Sequence, residues 1–229
     1  MTATEIVTGS TEVHLVTLET RVPDDLVVQV HKQVVSPFVE LQAAALKAGF
    51  ELRVCSGFRS FERQLQIWNG KISGMRAVMD PFGHPLDIKA LSPWRQVQAI
   101  LRWSALPGAS RHHWGTDFDV YDARAMPEGY QIQLVPDEVQ ESGLFAPMHN
   151  WLDNYLASTQ SPFYRPYEKD TGGIAPERWH LSYRPLAEQY ASLLDRSILE
   201  ERLQRSDMLL LEVVLEHLDE IMQRYILLD

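Results

Sequence analysis

The sequence predicts an α+β fold, in which a small, mostly antiparallel sheet is flanked by helices. Three observations lead there. Period-two runs are short and few, at 50–55, 117–121 and 179–183. Helix-patterned stretches with recognisable starts and stops separate them. From Pro185 onward the whole pattern is helical. With 229 residues, 45% of them apolar, the chain can bury one sizeable core without disulfides or a metal. The expected division is a main domain over 1–184 and a C-terminal helical appendage over 185–229.

Residues 11–22 alternate weakly through Val13, Leu15 and Leu18 and suggest an edge strand. Ser36 and Pro37 offer an N-cap and a first-turn proline for a helix that runs from Phe38 to Gly49. Phe50–Cys55 alternates as a strand and delivers Ser56-Gly-Phe-Arg-Ser60 to its end. Ser60 can then cap a helix carrying Phe61, Leu65 and Trp68 on one face. Gly74, Pro81, Gly83 and Pro85 mark a long loop over 69–92, a length that is usually functional or disordered. Ser92-Pro93 starts a helix reaching about Trp103. After the strand through Tyr121 come a loop, a short strand near 131–135, a short helix from Pro136 and a longer one over 145–158. That last helix has Met148, Trp151, Leu152 and Tyr155 on one side. Trp179–Tyr183 is placed on a strand near the one through Asp119.

Composition removes several function classes. Lysine plus arginine against aspartate plus glutamate gives 21 − 31 = −10, which argues against non-specific binding to nucleic acid or an anionic membrane. A lone cysteine, Cys55, permits no intrachain disulfide and no CxxC site. No window reaches the roughly 18 apolar residues of a membrane span. The first ten residues lack a signal-peptide pattern, so a cytoplasmic location is expected, with export by an undisplayed route left open. Residues 195–229 hold nine acids and four arginines, and Leu211, Val214, Leu218, Met222 and Tyr225 form an apolar stripe there. Such a stripe needs a cover, either the chain's own core or a second copy; a homodimer through this helix is the expectation.

The chemistry concentrates in Ser110-Arg-His-His-Trp-Gly-Thr-Asp-Phe-Asp119. Asp117 and Asp119 share one face of a strand, with Phe118 and Val120 on the other. Catalytic zinc sites use three protein ligands and keep a position open, and His112, Asp119 and His180 make such a set. Glu177 is a carboxylate outside it, suited to take a proton from water. In extended chain Glu177 and His180 would not share a face, so a bend after Pro176 is required.

These motifs resemble the M15 peptidase family, the zinc D-alanyl-D-alanine carboxypeptidases of the VanY type with related dipeptidases and phage endolysin peptidases. Ser56-Gly-Phe-Arg-Ser60 resembles the family's Ser-Gly-Tyr-Arg-Ser. Ser110 to Asp119 resembles Ser-x-His-x-x-Gly-x-Ala-x-Asp, and Glu177 to His180 resembles Glu-x-x-His. The resemblance spans residues 56–183. It implies zinc on His112, Asp119 and His180, with Glu177 as general base and acid and Arg59 on the substrate and the developing oxyanion. It also implies a substrate contact at Ser110 and, more weakly, at Gln64. Asp117 stands where the family usually has a small residue; it can hydrogen-bond a ligand histidine or change which substrate end is tolerated.

The implied activity is zinc-dependent hydrolysis of peptide bonds next to D-amino acids in peptidoglycan-type peptides, D-alanyl-D-alanine carboxypeptidase first. Alternatives are an endopeptidase on the same site and a non-catalytic zinc or peptide-binding module. That module class would tend to lose the base or the arginine. A two-histidine, one-carboxylate iron site would not need Glu177. Cys55 reads as a buried thiol, Ser110 lacks the second glycine of a nucleophile elbow, and His113 points away from the site in extended geometry.

Overall fold

The computed structural model describes residues 3–18, 27–80, 83–158 and 160–227. Helix α1 (Ala3–Val7) precedes a hairpin of β1 (Leu15–Leu18) and β2 (Val28–His31), paired antiparallel. Of the edge strand expected over 11–22, residues 11–14 are loop and turn instead, and 19–22 lie outside the described residues, as does Pro81 of the expected loop. Helix α2 (Val35–Lys47) begins before Ser36, so that serine is not its cap. Instead the His31 ring accepts from the Gln33 amide at 3.1 Å and caps a 3-10 turn, Lys32–Val34, that runs into the helix. Gly49 stops it at φ +98°.

Strand β3 (Leu52–Ser56) leads to α3 (Phe61–Ile72), whose cap is Ser60, accepting from the Arg63 amide at 3.1 Å. After the loop come α4 (Pro93–Leu101), β4 (Asp117–Asp122), α5 (Pro136–Val139), α6 (Ala146–Ser158), the two-residue β5 (Phe163–Tyr164) and β6 (His180–Tyr183). The central sheet has the order β3-β4-β6-β5, antiparallel throughout. The fold is α+β, as the sequence predicts.

No strand forms at 131–135. The Glu138 carboxylate accepts from the amides of Gln133 at 2.8 Å and Val135 at 3.3 Å, so a side chain takes the donors that a ladder would have used, and Leu134 sits at φ +53°.

One face of the sheet is core. Leu52, Val54, Phe118, Val120 and Leu181 pack against Phe38 and Leu41 of α2, Met148 and Leu152 of α6, and Val28 and Val30 of the hairpin. The other face carries Asp117, Asp119, His180 and Ser182, all buried.

The C-terminal helices α7 (Arg184–Leu193), α8 (Arg196–Gln204), α9 (Leu211–Glu216) and α10 (Leu218–Ile221) end in a π turn, Met222–Ile226. Val214, Leu218, Ile221, Met222 and Tyr225 are buried in one cluster with Phe61 and Trp68 of α3 and Val97 and Ile100 of α4. The stripe that suggested a homodimer is therefore covered within the chain. No helix among the described residues is long and apolar enough to cross a membrane.

Candidate metal centre

Three elements bring the motif residues to one end of the sheet. His112 sits in a 3-10 turn, Arg111–Trp114, closed by Gly115 at φ +67°. A Cβ on Gly115 would fall 2.5 Å from the Leu15 side chain and 2.8 Å from the His31 amide; one on Gly57 would fall 2.5 Å from the Gln29 carbonyl. Both motif glycines thus let the hairpin lie against the site. Asp119 and His180 are direct cross-strand partners on β4 and β6, and a bulge at Cys55 sets Ser56 opposite Asp119. The bend required between Glu177 and His180 is a turn, with the His180 amide donating to the Glu177 carbonyl at 3.1 Å.

One donor atom each from His112, Asp119 and His180 lies within 4.8 Å of the others. His112 gives its Nδ1–H to the Gly57 carbonyl at 2.9 Å, which leaves Nε2 facing Asp119 Oδ2 at 3.5 Å. His180 gives its Nε2–H to Asp117 Oδ1 at 3.1 Å. Its Nδ1 then faces Asp119 Oδ1 at 3.3 Å and Glu177 Oε2 at 3.5 Å. Each tautomer is fixed by the bond its far nitrogen makes.

The set fits a cation. Asp119 Oδ1 and His180 Nδ1 are buried and have no hydrogen-bond partner, a costly state unless something else satisfies them. Burial opposes charge on His180, yet Asp117, Asp119 and Glu177 overcome it and raise its pKa well above the ordinary value. Three carboxylates around one ring therefore call for positive charge. Two imidazole nitrogens and a carboxylate oxygen match zinc's preferences. Burial pushes the Glu177 carboxyl up, against the opposing pull of His180, as a proton-transferring carboxyl requires.

Arg59 is half-buried beside the cluster. Its guanidinium donates to Gln64 Oε1 at 2.9 Å and to Ser56 Oγ at 3.3 Å. Gln64, expected on the substrate wall, is fully buried and gives its amide to the Ala105 carbonyl at 2.6 Å, so it steadies Arg59 instead of facing substrate. Ser110 is also buried, at the edge of a cleft of about 920 Å³ that Arg59, His112, Asp119, Glu177 and His180 line. His113 is no surface residue: its ring bridges the Arg59 carbonyl at 2.6 Å and the Gly108 amide at 3.0 Å. Trp114 donates to the Val7 carbonyl at 3.1 Å, and Trp179 packs with Tyr121 and Phe145.

Two arginines escape sequence reasoning. Arg111 donates to Asp117 Oδ1 at 2.7 Å, Ser182 Oγ at 2.8 Å and the Tyr164 hydroxyl at 2.7 Å. Arg178, inside the Glu177–His180 motif, ties that turn to α6 and α5 through Asp153, Asn150 and the Val139 carbonyl. The only signal available was the arginine's place within each motif.

A family model described as VanY, D-alanyl-D-alanine carboxypeptidase, matches residues 27–186. Two Haemophilus influenzae proteins, each described as an uncharacterized protein, align with the chain. One is 47% identical over 102 residues, 44% of this chain and 68% of the relative. The other is 31% identical over 121 residues, 53% of this chain and 92% of the relative. Among solved structures, VanYB in complex with D-alanine-D-alanine superposes with a TM-score of 0.52 at 22% identity, covering 86% of this chain and 91% of that one. The LdcB LD-carboxypeptidase gives 0.53 at 20%, covering 86% and 80%. At these identities the likeness is one of fold.

Proposed function

Because the chain belongs to the VanY family of D-alanyl-D-alanine carboxypeptidases, within the M15 zinc metallopeptidases, we propose that it hydrolyses peptides ending in D-alanyl-D-alanine, of the kind peptidoglycan stems carry. The single observation that carries the reading is the convergence of His112, Asp119 and His180 beside Glu177 and Arg59 in one cleft. In this reading His112, Asp119 and His180 hold zinc, with Asp117 behind His180. A zinc ion there would supply Lewis acidity and acidify water. Glu177 takes a proton from the attacking water and returns it to the leaving amine. Arg59, fixed by Gln64 and Ser56 before substrate arrives, offers its guanidinium to the oxygen that gains charge as the carbonyl carbon becomes tetrahedral. Tyr167 packs its ring edge-on against His180 at 5.0 Å between centroids and keeps that side of the imidazole dry.

The test is mass-spectrometric product analysis of a pentapeptide stem incubated with zinc-loaded protein. Release of a single terminal D-alanine is expected. An intact stem, or cleavage only at internal bonds, would contradict the carboxypeptidase reading.

A further inference from the structure

Four carboxylates, Asp119, Asp137, Asp170 and Glu177, line the cleft beside five cations, Arg59, Lys71, Arg76, Arg102 and Arg111. Two are committed to carboxylates, Arg102 to Asp170 and Arg111 to Asp117. Arg76 is exposed at the rim. Lys71 is different. It is partly buried on the α3 face that also carries Gln64, one heptad earlier, and its ammonium bonds Ser104 Oγ at 2.8 Å. Among the described residues no carboxylate lies within ion-pair distance of it. Burial, and then the charge of Arg59, hold its pKa down at about 8 against the opposing pull of Glu177. Its one hydrogen bond among the described residues goes to a hydroxyl, and the nearby Glu177 charge does not offset burial and the neighbouring arginines, so the ammonium gains when a further anion arrives.

Its location says which anion. Arg59 is braced through Gln64 to Ala105, and Lys71 is bonded to the adjacent Ser104, so both cations are braced against the same two-residue stretch of cleft wall. In a peptide whose last bond is cut, the terminal carboxylate lies about one residue, roughly 3.5 Å of extended chain, beyond the reacting carbonyl. A peptide cut internally puts a neutral amide there instead.

We propose that Lys71 is the counter-charge for the substrate's free terminal carboxylate, so that the cleft selects chain ends over internal bonds. The inference rests on the hydrolytic reading above and extends it to a residue outside the three motifs.

The experiment uses zinc-loaded full-length chain carrying Glu177→Gln, so that peptide survives. Calorimetry compares one D-alanyl-D-alanine-terminated peptide as free acid and as terminal amide. Lys71 is kept, or replaced in Lys71→Met, Lys71→Gln and Lys71→Arg, with melting curves recorded for each. With Lys71 the acid should bind at least about tenfold more tightly than the amide, the scale of one charge-assisted hydrogen bond. Both neutral variants should bring the two within about threefold of each other, and Lys71→Arg should restore part of the gap. An unchanged acid-to-amide ratio in a folded neutral variant overturns the proposal, as does equal loss for both peptides. If wild type cleaves the acid but the ratio ignores Lys71, the hydrolytic reading survives and this one falls. If the ratio follows Lys71 while wild type cleaves nothing, the subsite survives and hydrolysis falls. Binding of neither peptide overturns both.

Discussion

Asp117 is fully buried, yet three groups converge on its carboxylate: the Arg111 guanidinium at 2.7 Å, the His180 ring at 3.1 Å and the Thr116 hydroxyl at 2.6 Å. Burial works against its ionisation, but Arg111 and His180 hold its carboxyl well below the usual range. A charged oxygen behind a ligand imidazole fixes the ring and raises its basicity. Asp117→Asn keeps the shape and removes the charge, and it also leaves Arg111 buried without a counter-ion. Zinc affinity, read by chelator competition, should fall about 10–100-fold; undiminished affinity would mean that Asp117 serves only packing. The motif spacing made His112, Asp119, Glu177 and His180 legible, because few other arrangements need those residue types in that order. Arg111 and Arg178 were not legible, since an arginine in a chain of 31 acids has a surface partner by default. Only the fold brings Ser182 and Asp153 to them.

Elements with local signals were readable, such as α3 with Ser60 at its start and α4 with Pro93 in its first turn. Those decided by distant or side-chain partners were not. The start of α2 depends on the His31 ring, the run at 131–135 loses its donors to Glu138, and β5 is two residues that gain a strand only by pairing with β6. The C-terminal helices show why a stripe alone does not name its cover. Trp68 donates its indole N–H to the Leu209 carbonyl at 3.0 Å, and Asn69 bonds both Asp207 and Leu209. These helices thus brace α3, the element that carries Gln64 and Lys71. A chain ending at Ser206 uncovers Trp68, Val97 and Ile100 and forfeits at least five buried side chains, each worth about 1.5–3 kcal/mol. Its melting temperature should drop by roughly 10 °C or more, with peptide binding weakened too. Unchanged melting in calorimetry would return residues 207–229 to an independent appendage, and light scattering of the full chain checks that the stripe needs no second copy.

At the scale of the whole molecule, one sheet divides the labour. Its apolar face, with Phe118 and Leu181 at 0% exposure, locks β4 and β6 in register, and that register is what sets Asp119 opposite His180 on the far side. A one-residue slip would turn both into the core. Around this centre the cleft wall sets five cations among four carboxylates, with Arg102 paired to Asp170 and Arg111 to Asp117. If Glu177 moves the proton at a metal held by His112, Asp119 and His180, as proposed, Glu177→Gln should separate metal binding from turnover, because glutamine keeps the size and loses the proton. Zinc content and hydrolysis of a D-alanyl-D-alanine peptide are measured on the same preparation. One zinc per chain is expected, as in wild type, with hydrolysis at least about a hundredfold slower. Wild-type turnover by the zinc-loaded Glu177→Gln chain would contradict the proposal.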